Sequence, residues 1–443
     1  MRLIHTADWH LGNSMHDIDR TEEVKAFFQW LRNEIIERGA EGLVVAGDVF
    51  DNRTPSNSVK KLYYEFLASL LGTDCRNVII VGGNHDSGAM LDTTRELSEA
   101  LNIHVVGSIS ERSTEELIYE LQDKNGTCSA ICAAVPFVRE FDLRRYCTED
   151  CEDKTFSDRA YSALYGEVLE EAERCRGDRK IPLITTGHLY AAALEGRYGE
   201  MESDEEVKTD DGLQPVDVMG KLGKVHVDVF PPEFSYVALG HIHYSTRVAK
   251  QNRIRYSGSP FVMGFDEAKI PHYILQIDLE ETAEAAPKVE MIEVPRYDRY
   301  ERLSGTKEEI IDGLQELARS VSDRKSGSVY VEICYRPEDR TPLNEAVEEL
   351  KLSDEIRVVS WKLIRAERTA GSTLGDYSMQ EMKHIDFEEV VRSLILSKFP
   401  VEKEEGMTEE DVRRKEEEVV SVYLPYFLEA YREVQIGGEH EDN

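Results

Sequence analysis

The chain has 443 residues, 41% of them hydrophobic, and a formal net charge of -34 at pH 7. That length exceeds one ordinary core and predicts two or three domains, while no apolar run reaches the roughly 18 residues of a membrane helix. The parts before and after residue 300 are both acidic, which excludes a basic nucleic-acid module of the usual kind and argues against tight, unaided binding to a polyanion.

The first ~290 residues read as alternating strands and helices. Leu3-Ile4-His5 opens the first strand. Residues 19–38 are helical, with Val24, Phe27, Phe28, Leu31, Ile35 and Ile36 at helix spacing. Residues 42–46 form a short buried strand, a second helix follows Pro55 with that proline in its first turn, and residues 77–81 form the next strand. Later strands are expected over 181–186, 236–239, 255–256 and 273–278, giving an α/β layered architecture. Residues 196–214 carry many charges and read as a solvent loop. Around Pro295 the pattern changes. A helix over 307–320, a strand over 329–335, a helix over 342–351 and a strand over 356–364 make a small α/β domain within 295–370. After a linker at 366–377, two amphipathic helices occupy 378–435. Phe387, Val390, Val391, Leu394 and Ile395 line one face of the first, and Val419, Val420, Tyr423, Leu424, Phe427 and Leu428 supply the second. Such a stripe packs on its own domain or marks a partner surface. No internal repeat is present.

Five short clusters carry the chemistry. They are Asp8-Trp9-His10, Gly47-Asp48-Val49-Phe50-Asp51, Gly83-Asn84-His85-Asp86, Gly187-His188 and Gly240-His241-Ile242-His243. The first ends a predicted strand, and the other four each follow one. In an open α/β sheet, ligands bind beyond the carboxyl ends of the strands, so these distant segments are expected to converge. Their carboxylate, imidazole and amide donors, without a thiolate, suit manganese, iron, zinc or magnesium. Asp48 is central to the set and is the candidate for a carboxylate shared between two ions. Divalent ions also reverse the local field, so the acidic charge does not exclude chemistry on a polyanion; its simplest meaning is solubility.

The order Asp-x-His, Gly-Asp-x-x-Asp, Gly-Asn-His-Asp, Gly-His, Gly-His-x-His resembles the calcineurin-like metallophosphoesterase superfamily. Within it, Asp8-Trp9-His10-Leu11-Gly12, Gly83-Asn84-His85-Asp86-Ser87, Ala238-Leu239-Gly240-His241-Ile242-His243 and Tyr256-Ser257-Gly258-Ser259-Pro260 are similar to the SbcD family of nuclease subunits. The resemblance covers ~270 residues and is architectural beyond. It implies a layered β-sandwich flanked by helices over residues 1–294, a small α/β DNA-capping domain over 295–370, and a C-terminal helix pair that binds an ATPase partner. It implies one ion on Asp8, His10, Asp48 and His243, and another on Asp48, Asn84, His188 and His241. Mn2+ is the first choice, with Mg2+, Fe2+ and Zn2+ as alternatives. His85 matches the family's catalytic histidine, which contacts phosphate and protonates the leaving oxygen. Asp51 matches the aspartate that orients this histidine in related phosphatases. The implied activity is phosphodiester hydrolysis in DNA repair and recombination, as a double-strand exonuclease and single-strand endonuclease. The implied partners are a separate SbcC-like coiled-coil ATPase, DNA, and a second copy of the chain. No Gly-x4-Gly-Lys-Ser/Thr sequence occurs, so the ATPase would be another protein.

Two other classes compete: a small-molecule phosphodiesterase or protein phosphatase using the same metals, and a non-enzymatic scaffold. The extra domain, the helix pair and Ser87 point away from the first; the intact donor set and His85 point away from the second. His5, His16, His104, His226, His272, His384 and His440 lie outside the motifs and read as ordinary core or surface residues. Cys128 and Cys132 share one face of an apolar strand, which burial explains. Cys147 and Cys151 have a zinc-like spacing, but no second ligand pair follows nearby. Seven scattered cysteines and a polar motif directly after Met1 predict a cytoplasmic protein without a signal peptide, and the resemblance implies that it is nucleoid-associated.

Overall fold

The computed structural model describes residues 1–147, 156–192, 225–280, 286–321, 327–335, 340–353 and 355–363, together with Lys415 and Val420. The acidic loop at 196–214, the linker, the helix pair of 378–435 apart from Lys415 and Val420, and Cys151 lie outside the described residues. Met1–Ile364 forms one compact unit and Arg365–Asn443 a second. The division expected at residue 294 falls inside the first. Among the described residues no helix is long and apolar enough to cross a membrane.

The elements of the first unit run β1 (Arg2–Thr6), α1 (Thr21–Glu37), β2 (Gly42–Ala46), α2 (Asn57–Leu70), β3 (Asn77–Val81), α3 (Gly88–Asp92), α4 (Arg95–Glu99), β4 (Ile103–Val106), β5 (Ile118–Gln122), β6 (Cys128–Ala133), α5 (Glu140–Leu143), α6 (Phe156–Arg176), β7 (Leu183–His188), β8 (Ala191–Ala192), β9 (Val225–His226), β10 (Phe234–Gly240), β11 (Thr246–Val248), β12 (Gln251–Tyr256), β13 (Tyr273–Asp278), β14 (Lys288–Glu293), β15 (Arg299–Ser304), α7 (Lys307–Val321), β16 (Val329–Tyr335), α8 (Arg340–Glu349) and β17 (Ile356–Leu363). One six-stranded sheet has the order β14-β13-β1-β2-β3-β4, the other β11-β12-β10-β7-β6-β5. Strands β1 to β4 are mutually parallel, and so are β6, β7, β10 and β12; the antiparallel strands lie at the sheet margins.

Strand alternation sorts the first sheet's side chains into two cores. Leu3, Val44, Ile79 and Val81 pack toward Ile184, Val237 and Leu239 of the second sheet. Ile4, Leu43, Val45, Val78 and Ile80 pack toward Phe27, Phe28, Leu31 and Ile35 of α1 and Phe66, Leu67 and Leu70 of α2. Ile36, placed by its spacing in the α1 stripe, is instead 44% exposed, because its neighbour Ile35 occupies the inward position. Helix α2 starts one turn-position later than Pro55 suggests: Ser56 caps it, its hydroxyl accepting from Val59 N at 3.3 Å. Strand β7 runs two residues beyond its expected end, so His188 is its last residue.

The small layer is an all-parallel sheet, β15-β16-β17, crossed by α7 and α8. Val329, Val331 and Ile333 of β16 face the helices with Ile310, Leu314, Leu317 and Leu343. Tyr330 faces the opposite way, joining Tyr300 to Ile18, Val262, Phe265 and Ala268 of the sandwich. That second apolar cluster seats the small sheet on the loops beside β1.

Candidate metal centre

Strands β1, β2 and β3 end level with one another, Thr6 beside Val45 and Ala46 beside Val81. Trp9 then anchors the loop after β1. Its ring packs edge-on against Phe27, Phe28 and Phe66, and Nε1 donates to Thr6 Oγ1 at 3.0 Å. With Trp9 held on the helix side, its neighbours Asp8 and His10 turn toward the second sheet. Asp8, His10 and Asp48 take φ of 53°, 42° and 47°, in the left-handed region that few such residues adopt. The two loops zip together to hold that backbone: Asp8 N donates to Gly47 O, His10 N to Asp48 O and Leu11 N to Val49 O, each at 2.9 Å. Strained backbone of this kind persists where surrounding bonds over-determine it.

Glycine is required where the third loop and the second sheet close on β2. A Cβ at Gly83 would collide with the backbone nitrogen and Oδ1 of Asp48, and one at Gly240 with the carbonyl of Ala46. This closeness brings the donors together. Asp48 Oδ1 accepts from His85 N at 2.9 Å, and Oδ2 lies 3.2 Å from His188 Nε2 and 3.6 Å from His10 Nε2. Asn84 Oδ1 lies 3.1 Å from His188 Nε2 and 2.9 Å from His241 Nδ1. His10 Nε2 faces His243 Nε2 at 3.3 Å. Two groups result, Asp8/His10/His243 and Asp48/His188/His241, each with donor atoms within 4.8 Å of one another.

Several features fit cations. Asp8 Oδ1 accepts from His241 N at 2.9 Å, but its buried Oδ2 has no hydrogen-bond partner among the described residues. His188 Nδ1 lies 2.9 Å from Ala46 O. A carbonyl only accepts, so Nδ1 carries a proton there and Nε2 is the nitrogen that faces Asp48 and Asn84; a metal-binding imidazole is fixed the same way. Burial pushes His241 and His243 down to about 3, leaving both neutral, as ligands must be. Burial lifts Asp8 to about 7 in spite of nearby His188. Burial likewise opposes ionisation of Asp48, but the charges of His188 and His10 outweigh it and hold its carboxyl well below the usual range. In return Asp48 outweighs the desolvation of His188 and raises it to about 9.

All seven expected ligands converge. His85 stands apart as an exposed ring 4.8 Å from that of His10, with Nδ1 2.9 Å from the backbone oxygen of Asp51. Asp51 thus meets His85 through its main chain. Its carboxylate instead accepts from Asn13 Nδ2 at 2.9 Å and lies 3.4 Å from His10 Nδ1, which accounts for the third donor trio, His10, Asp51 and His85. His5, His104 and His272 are placed as core residues, bonded to Tyr236, stacked on Tyr119 and bonded to Ser259 O respectively.

Asp86 closes the third motif, and residue pattern alone gives it no role. It is buried and accepts three backbone N–H groups: Val49 at 3.0 Å, Phe50 at 2.9 Å and Gly83 at 2.9 Å. Burial, with Asp48 nearby, raises it to about 6 against the pull of those donors. The only signal in the sequence is an acidic residue two places after Asn84, beside a buried strand end.

Residues 1–245 match the model of the family described as calcineurin-like phosphoesterase. The SbcD subunit of the nuclease SbcCD from Escherichia coli (strain K12) is 32% identical over 276 residues, 62% of this chain and 64% of that protein. The protein of the same name from Rhodobacter capsulatus is 32% identical over 296 residues, 65% of this chain and 68% of that protein. The one from Bacillus subtilis (strain 168) is 28% identical over 287 residues, 64% and 68% of the two chains. The chain therefore spans about two thirds of the length of these relatives, and 64% of the Escherichia coli one.

Replacing Asp86 with alanine would strand three buried donors, each costing about 1–3 kcal/mol. Urea denaturation should show a loss of at least about 2 kcal/mol. A smaller loss would mean the loops are tied some other way.

Proposed function

The chain belongs to the calcineurin-like phosphoesterase family, and from that premise we propose that it is a two-metal DNA nuclease subunit hydrolysing phosphodiester bonds. The observation that carries the reading is the meeting of seven donor side chains from five segments in two groups about Asp48. Asp8, His10, Asp48 and His243 would hold one ion and Asp48, Asn84, His188 and His241 the other, with Mn2+ the first choice for a set of carboxylate, imidazole and amide oxygen. Ions bound there lower the pKa of a bound water and offset the charge of the phosphate.

The chain's own groups supply the rest. His85 has its Nδ1 proton tied to Asp51 O, so Nε2 is the atom that exchanges a proton with substrate. It is exposed beside the donor cluster, the position a general acid needs to protonate a leaving oxygen. Asp51 positions both rings, His85 by its carbonyl and His10 by its carboxylate. DNA as substrate, in double-strand exonuclease and single-strand endonuclease modes, rests on the likeness to SbcCD nuclease subunits. The same likeness points to an SbcC-like coiled-coil ATPase as partner and to residues 295–370 as the layer over the DNA. A second copy of the chain is the further partner we propose.

Hairpin DNA, a phosphoprotein and a chromogenic phosphodiester, assayed side by side with Mn2+, separate nuclease, phosphatase and scaffold. Asp48→Asn should abolish hydrolysis with the fold retained, and metal analysis of the wild type should find about two ions per chain. Activity persisting in EDTA would end the metal reading. His85→Ala should lose on the order of 10²–10⁴-fold in turnover while metal content stays at the wild-type level; loss of an ion would make His85 a ligand. Deleting residues 378–443 should leave Mn2+-dependent cleavage of single-stranded DNA and weaken SbcC binding and ATP-stimulated cutting of duplex ends. Undiminished co-purification with SbcC would place the partner surface elsewhere.

A further inference from the structure

From His10 and His85 a line of polar contacts leads to the small parallel sheet. Asp51 Oδ1, 3.4 Å from His10 Nδ1, accepts from Asn13 Nδ2 at 2.9 Å. Asn13 Oδ1 in turn accepts from Arg20 Nη1 at 3.5 Å. Arg20 Nε donates to Glu23 Oε2 at 2.7 Å, and the same oxygen accepts from the hydroxyl of Tyr300, on β15, at 3.3 Å. Arg20, Glu23 and Tyr300 are 6%, 6% and 1% exposed. The guanidinium also lies over two rings, 5.3 Å from the centroid of Phe261 and 5.7 Å from that of Tyr300.

A buried ion pair is a costly way to hold two layers together, since apolar residues of similar size usually serve as well or better. The apolar cluster of Ile18, Val262, Phe265 and Tyr330 already seats the small sheet. What an arginine adds is direction. Its planar fork engages Glu23 with one nitrogen and Asn13 with another, so neither partner can shift without turning the other. Asn13 has its amide hydrogen on Asp51 and its oxygen on Arg20, and this fixes which way its head group faces. Asp51 then meets both rings of the site, His85 through a hydrogen bond from Nδ1 to its carbonyl and His10 through a carboxylate oxygen 3.4 Å from Nδ1.

We propose that Arg20 is a positioning residue that ties the seating of the small sheet, through Asn13 and Asp51, to the orientation of His10 and His85. Displacement of Tyr300 by whatever binds over the small sheet would then reach His10, a donor of the candidate metal centre. The inference rests on the metal-centre reading of these residues.

The test uses the full chain and three variants, Tyr300→Phe, Arg20→Gln and Asn13→Ala, with the double variant Asn13→Ala/Tyr300→Phe. Mn2+ binding is read by calorimetry, thermal melting reports the fold, and kcat and KM on a chromogenic phosphodiester report the site. Groups that orient a metal-binding histidine change affinity on the order of 10-fold or more, which is the loss expected for Asn13→Ala and Arg20→Gln. Tyr300→Phe keeps the ring and removes only the hydroxyl, and should weaken Mn2+ binding roughly 3-fold from its distant position. The fall should appear in kcat more than in KM. The double variant should bind no more weakly than Asn13→Ala alone, because both changes break one line of contacts. A merely structural role would lower the melting temperature and leave Mn2+ affinity and kcat at wild-type values, and that result would overturn the proposal, as would additive losses in the double variant. Should Arg20→Gln fail to fold, Tyr300→Phe and the double variant decide. A wild type that binds Mn2+ but hydrolyses nothing would remove the nuclease reading and leave the binding comparison intact.

Discussion

Asp48 is 2% exposed, and a carboxylate taken that far from water has to be met by hydrogen bonds or opposite charge. Much of the molecule is arranged around that requirement. One oxygen is answered by the backbone of His85, and the other lies between His188 from the second sheet and His10 from the loop after β1. No single sheet can surround the end of its own strand in this way. The two sheets must pack so that β7 and β10 reach the end of β2, and the glycines at 83 and 240 are the local consequence. Asp8, with a buried and unpartnered oxygen, makes the same demand a second time. Cations held by two such carboxylates among imidazoles would give an acidic chain a positive charge gathered at one point and not spread over the surface.

The donors sit on loops, yet little in those loops is left to move. Left-handed backbone at Asp8, His10 and Asp48 is paired strand-like with its neighbour, Trp9 is locked among three aromatic rings, and Asp86 fastens the second loop to the third. Function on loops held by a rigid frame is a general pattern, and here the frame is the parallel central strands of two mixed sheets. The small sheet belongs to the same arrangement. One face of β16 closes its own helical layer and the other closes on the sandwich, so its position is fixed by packing before any polar contact is made.

Much of this was legible in the residues alone. Val44, Val45 and Ile79 to Val81 announce buried strands because continuous β-branched runs suit a sheet covered on both faces. Asp8, His10, Asp48, Asn84, His188, His241 and His243 stood out because each polar group directly ends or follows such a run, where an open sheet exposes its ligand-binding edge. Local chemistry of that kind is written in adjacent positions. Element ends were less legible: Ser56 takes the cap beyond Pro55 and β7 extends to His188, because a hydroxyl and a neighbouring strand, respectively, supply bonds the pattern does not encode.

What adjacency cannot encode is which atom of a residue faces which partner. Nothing in the motifs says that Asp51 would turn its carbonyl to His85 and its carboxylate toward His10, or that both oxygens of Asp86 would accept from three amides of two loops. Arg20 and Glu23 are neighbours on one helical turn, but Tyr300 lies 277 positions from Glu23 and belongs to no motif; only the docking of β15 beside α1 brings it to them. The sequence by itself determined the donor set, the strands that carry it and the alternation of layers, because those follow from residue type and period. The tertiary structure alone decided which donor atoms face one another about Asp48 and what stands behind them, because long-range packing of two sheets and a third layer sets those distances.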